Sequence, residues 1–131
     1  MVEINAYSKA KDGGKKLSTN FKVKEFACKD GSDAVLVAPR LVMVLQSIRS
    51  HFGAAVTINS GYRTPQYNTK VGGVAHSQHC YGTAADITVR GQKPAAVAAY
   101  ARKIMPDWGG VGIYGSFCHI DVRETKADWN G

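Results

Sequence analysis

No segment of this chain is apolar for long enough to cross a bilayer, so membrane insertion through a helix is not expected. Its start, Met1-Val2-Glu3-Ile4-Asn5, has neither a basic head nor an apolar core; the expectation is synthesis in the cytoplasm without a signal peptide. Cysteine is scarce. Cys28, Cys80 and Cys118 make an odd set of three, which argues against a complete disulfide framework and for small buried thiols. Acidic residues are few as well: 10 against 17 Lys and Arg, for a formal net charge of +7. That balance favours acidic polymers as partners. Yet no basic helix interleaved with aromatics is present, and the one small cationic cluster runs from Lys9 to Lys16, so nucleic acid is not an expected partner. Repeats and low-complexity tracts are also missing. What remains is the composition of one globular domain over residues 1–131, large enough to bury a core without staples and expected to be monomeric.

The chain divides at its turn residues. Residues 1–16 are polar and interrupted by glycine, which predicts an extended N-terminal arm. Val23, Phe26 and Ala27 fall on one face of a short helix, with Ser18, Thr19 and Asn20 upstream as candidate caps. Lys29 to Asp33 is turn chemistry, and it lacks the alternating oxygen ligands of a calcium loop. Pro39 opens and Gly53 closes a long helix whose Leu41, Leu45, Ile48 and Phe52 repeat at helical spacing. A strand follows over Ala55 to Asn59, then a short helix from Pro65 through Lys70. Ala84 to Val89 reads as a strand and Pro94 to about Met105 as a helix with Val97, Tyr100, Ala101 and Ile104 inward. Gly109 to Tyr114 is a glycine-rich strand; no helix follows it, so it is not a dinucleotide fingerprint. A last strand spans Phe117 to Arg123, and the tail, polar apart from Trp129, reads as a loose closing segment. This order predicts an α+β fold: a small, mainly antiparallel sheet carrying the site, packed against helices.

The chemistry concentrates in two places. In Ser77-Gln78-His79-Cys80-Tyr81-Gly82-Thr83-Ala84-Ala85-Asp86, a histidine and an aspartate flank a glycine that permits a sharp return of the backbone. In the last strand His119 and Asp121 are two apart and share a face. Were these strands neighbours, His79, Asp86 and His119 would converge as two imidazoles and a carboxylate with a fourth position left for water, the donor set of a catalytic zinc. A His–Asp pair also serves simply to orient a loop. Arg63 ends a strand beside a loop, where its guanidinium either grips a carboxylate through two parallel hydrogen bonds or ties loops together.

Three ordered motifs carry a resemblance. The first is Ser-Gly-Tyr-Arg at Ser60 to Arg63, and the second is Ser-x-His-x-x-Gly-x-Ala-x-Asp at Ser77 to Asp86. The third is Gly-x-Gly-x-Tyr at Gly110 to Tyr114 followed by Phe-x-His-x-Asp at Phe117 to Asp121. From about Leu17 to Arg123 the chain resembles the zinc D-Ala-D-Ala carboxypeptidase and murein peptidase family, whose fold is shared with the signalling domain of hedgehog proteins. The resemblance implies zinc on His79, Asp86 and His119, a role for Arg63 toward substrate or transition state, and substrate contacts from Ser77, Tyr114 and His76. It implies a peptidase for the stem peptides of bacterial peptidoglycan, reaching the wall after release by a holin or lysis.

The chain departs from the family at the general base. Relatives place a Glu three residues before the last zinc histidine, or a His two before it; here Ser116 and Phe117 stand there. His76 also replaces an Asn common among relatives. Asp121 is the best local candidate for the base, with fixing the tautomer of a ligand histidine as its alternative role. Three readings compete: a murein carboxypeptidase or endopeptidase, a catalytically silent wall-binding domain of the same fold, and a nucleic-acid partner driven by charge alone.

Overall fold

A computed structural model describes residues 2–131. Two helices and a five-stranded sheet organise it. The first helix that matters for the core, Pro39–Phe52, is preceded by a four-residue helical turn, Lys9–Asp12; these are α2 and α1. Pro39 occupies its first turn, where a missing N–H costs nothing, and the helix ends at Gly53. Leu41, Val42, Val44, Leu45 and Ile48 are buried along one stripe. Full burial of a Leu or Ile side chain contributes about 1.5–3 kcal/mol, so this stripe is the main adhesive of the helix. Short helix α3 is Pro65–Lys70 and long helix α4 is Pro94–Ile104, with Val97, Ala98 and Ala101 buried. Among the described residues no helix is long and apolar enough to cross a membrane.

The strands are β1 Asn5–Ser8, β2 Lys16–Ser18, β3 Phe21–Lys22, β4 Ala34–Val37, β5 Val56–Ser60, β6 Ala84–Val89, β7 Gly110–Ile113, β8 Cys118–Asp121 and β9 Ala127–Asn130. The main sheet has the order β5-β6-β8-β7-β9, antiparallel except for the parallel pair β7–β9. Alternation sorts its faces. Ala85, Ile87, Val89, Val111, Cys118 and Ile120 belong to the core beneath α2 and α4. Asp86, Gly112 and His119 share one cross-strand row and therefore one face. The predicted α+β architecture, with helices on one side of a mainly antiparallel sheet and the site on the other, is what the chain adopts.

Three local expectations need correction. Met1 lies outside the described residues, and the rest of the segment 1–16 is not an extended arm: β1 pairs antiparallel with β4, and Ser8 caps α1 by accepting from the Lys11 backbone N–H. What holds them is remote. Asp33 accepts from Ser8 Oγ at 2.7 Å and from the Ala10 backbone at 2.8 Å, 25 and 23 residues away, a contact no local pattern announces. The short helix is a single 3-10 turn, Val23–Phe26, and Leu17 and Ser18 lie in β2 rather than leading into it. The tail is not loose, since Ala127–Asn130 forms the edge strand β9.

Candidate metal centre

Each functional side chain is placed by a local device. Ser77 begins the 3-10 turn Gln78–Tyr81 and its hydroxyl accepts from the His79 backbone N–H at 3.2 Å. The turn closes at Gly82 with φ 76°, a left-handed conformation that L side chains rarely adopt. A Cβ there would lie 2.5 Å from the Leu36 carbonyl oxygen, so the position excludes one on space as well. The chain then enters β6, where Asp86 pairs with His119 of β8 across the antiparallel ladder. The neighbouring strands anticipated from the sequence are real, and they bring the three ligand candidates together. One donor atom from each of His79, Asp86 and His119 lies within 4.8 Å of the others, and all three residues are buried.

The hydrogen bonds around the rings set which nitrogen faces inward. His79 Nδ1 lies 2.7 Å from the Gly61 carbonyl oxygen; a carbonyl only accepts, so Nδ1 carries the proton. That leaves the lone pair on Nε2, 3.3 Å from Asp86 Oδ1. His119 uses its nitrogens the other way round. Its Nδ1 lies 2.9 Å from Asp86 Oδ1 and its Nε2 lies 2.8 Å from Asp121 Oδ2. Burial works to lower the His119 imidazole, but the bonds to Asp121 and Asp86 outweigh it and raise it above the ordinary 6.5. Burial works to raise the Asp86 carboxyl; the hydrogen bond from His119 and the nearness of both rings outweigh it and hold it well below the usual carboxylate range.

Asp121 is fully buried. Its carboxylate receives Arg123 Nε at 2.8 Å, Arg123 Nη2 at 2.7 Å and the Arg123 backbone N–H at 3.1 Å, besides His119. Burial raises this carboxyl too, and the His119 and Arg123 bonds more than reverse it. Asp121 thus sits on the far nitrogen of His119, the position of a group that orients a ligand ring.

A cavity of about 640 Å³ opens over the triad, lined also by Arg63, His76, Ser77 and Tyr114. Every residue the sequence proposed for the substrate side borders it. Their circumstances differ. Arg63 already spends three donors on the protein: Nε to Ser60 Oγ at 3.1 Å, Nη1 to Asn68 Oδ1 at 3.1 Å and Nη2 to Asp86 Oδ2 at 3.4 Å. A guanidinium has five N–H donors, so it serves as tie and keeps two donors over. Tyr114 stacks on Phe117 with centroids 4.5 Å apart. His76 is exposed, with φ 58°, the one positive-φ non-glycine among the described residues. Strain of this kind clusters at functional sites. The cysteines take no part: Cys28 and Cys118 are buried, and burial pushes the Cys118 thiol up to about 12. Cys80 is only half-buried, against the expectation of a buried thiol.

Three further residues of the site escaped sequence reading. Asn68 holds Arg63, Arg123 holds Asp121, and Trp129 of β9 lines the cavity beside His119. Arg123 stood two residues beyond Asp121 on the same strand path, a legible signal; Trp129 had only its alternation within a polar tail.

The family profile described as Peptidase M15 matches residues 17–121. The chain belongs to this family. Over 59 residues it is 41% identical to the zinc D-Ala-D-Ala carboxypeptidase of Streptomyces albus G, a match covering 44% of this chain and 23% of that protein. This chain thus spans less than a quarter of that relative's length. For a Peptidase M15 domain the triad is intact, and its chemistry fits the metal. Two imidazoles present unprotonated nitrogens once His119 gives up its extra proton, and a low-pKa carboxylate lies between them. That is an N/N/O donor set for zinc, which takes such ligands at about 2.0–2.2 Å.

Proposed function

We propose that this domain hydrolyses a peptide bond in the stem peptides of bacterial peptidoglycan, as a D-Ala-D-Ala carboxypeptidase or an endopeptidase. One observation carries the reading: His79, Asp86 and His119 converge at the base of a cavity that Arg63 also lines, in a Peptidase M15 chain. Zinc held by His79 Nε2, His119 Nδ1 and Asp86 would supply Lewis-acid chemistry there, acidifying water and polarising a carbonyl. The protein's own residues do the rest. Asp121 and Arg123 fix the His119 tautomer, and the Gly61 carbonyl fixes that of His79. Arg63 steadies Asp86 and offers its two remaining donors to a substrate carboxylate or developing oxyanion.

The base falls to a different residue from the one the sequence favoured. Asp121 is committed to His119 and Arg123, and among the described cavity-lining residues Asp86 is the one carboxylate. His76 supplies an imidazole, the general acid–base group enzymes use most often. This reading assigns proton transfer to His76.

A silent binding domain is the second reading, favoured by Ser116 and Phe117 at the places where relatives carry a base. Incubation of zinc-loaded protein with purified peptidoglycan, followed by mass spectrometry of the muropeptides, separates the two. Loss of a terminal D-Ala identifies a carboxypeptidase, and new internal termini identify an endopeptidase. Unchanged muropeptides from a protein that sediments with the wall would establish the silent domain.

A further inference from the structure

One cross-strand row runs through the site. Ser60 of β5 pairs with Asp86, Asp86 with His119, His119 with Gly112 and Gly112 with Trp129 of β9. Paired residues in neighbouring strands project to the same face. Two of the five are ligand candidates, and Ser60 holds Arg63. At the fourth place the row has no side chain, and the fifth fills the gap. A Cβ at Gly112 would lie 2.5 Å from the Trp129 ring atoms Cε2 and Nε1. Trp129 therefore lies across Gly112 and reaches His119, with ring centroids 5.1 Å apart and planes tilted by 46°.

Two further contacts hold the half-buried indole. Its Nε1–H donates to Tyr114 Oη at 2.9 Å, and the Arg123 guanidinium lies 5.3 Å from its centroid. That same Arg123 grips Asp121, which grips His119. On the opposite face of β9, Asp128 meets Arg102 of α4 at 3.1 Å and ties the strand down. His119 is thus fixed along its edge by Asp121 and against its ring by Trp129. The strand that does this lies beyond residue 121, where the family match ends.

We infer that Trp129 is a positioning residue of the metal centre, setting the His119 ring through the space that Gly112 leaves open. The inference rests on the metal site described above. Its test reads zinc affinity, so it stands or falls apart from the identity of the substrate. Zinc dissociation constants from competition with a chromogenic chelator are compared for the parent, Trp129→Phe, Trp129→Leu and Gly112→Ala, after circular dichroism confirms folding. Trp129→Leu and Gly112→Ala should each weaken zinc by about tenfold, the low end for groups that orient a ligand. Trp129→Phe, which keeps a ring against His119, should retain most of the affinity. The atoms nearest a Cβ at Gly112 all belong to Trp129, so a loss in Gly112→Ala that Trp129→Leu shares points to the displaced indole. In a Trp108→Phe background, zinc titration should change the emission of Trp129. Affinities of the folded Trp129→Leu and Gly112→Ala proteins equal to the parent's would overturn the proposal. Should those variants fail to fold, the titration decides: indole emission unmoved by zinc would overturn it.

Discussion

His119 Nε2 lies 2.8 Å from Asp121 Oδ2, while the other nitrogen of the same ring faces Asp86. Asp121 therefore acts on the ring from behind, and its loss should show first in the metal. Asp121→Asn should weaken zinc by about ten- to a hundredfold, the usual cost of removing a partner that fixes a ligand's tautomer. Rate at saturating zinc should change little. A rate loss of several powers of ten with unaltered zinc affinity would return Asp121 to the role of base.

The triad predicts one zinc per chain. Elemental analysis of protein purified without chelator should give one equivalent, and His119→Ala should lose it, because two donors of the N/N/O set do not hold zinc against buffer. Full retention by His119→Ala would remove His119 from the site.

Arg63→Lys keeps the charge and loses the planar fork. Hydrogen bonds to charged groups contribute about 1.5–3 kcal/mol, so kcat/KM should fall by about ten- to a hundredfold. Bonds to Ser60 and Asn68 are lost with the fork, and a modest fall in thermal stability should accompany the change. An unaltered kcat/KM on muropeptides would rule the residue out of the chemistry.

For His76 the reading is proton transfer. His76→Asn should keep its zinc and its fold while losing roughly two to four powers of ten in kcat, the usual worth of a general base. Added imidazole should restore part of the rate. A variant with parental kcat would end the assignment.

The pH dependence has opposite signs with and without metal. In metal-free protein His119 is raised above 6.5, so its contribution to stability is fully present below that value and is lost as pH rises through the folded pKa. Asp86 and Asp121 are lowered, so theirs is present above 3.8 and lost as pH falls through the folded pKa values. Metal-free protein should be most stable between about pH 4 and pH 6.5. Zinc competes with the His119 proton, so zinc affinity should rise with pH through neutrality. Thermal melts across pH with and without zinc check both; metal-free melting that climbs steadily from pH 6 to pH 8 would contradict the raised His119.

Much of the fold was local and so readable. Pro39, Pro65 and Pro94 each open a helix, because proline's fixed φ and missing N–H suit the first turn. β6 begins and ends where the apolar run from Ala84 to Val89 does. The ligand candidates were readable through the three ordered motifs and the family they resemble, while their convergence waited on the pairing of β6 with the distant β8.

Remote pairing decided the rest. β1 exists through β4 and through Asp33, and β9 through β7, so neither segment announces itself in its own residues. The role of Asp121 also turned on tertiary structure. The sequence placed its carboxylate on the His119 face by strand periodicity alone. Which ring nitrogen it meets depends on the ring's rotation, and that is set by Asp86 across the ladder, Arg123 beside it and Trp129 over Gly112. A sequence specifies which groups can share a face; the packing of neighbouring strands selects which atoms touch.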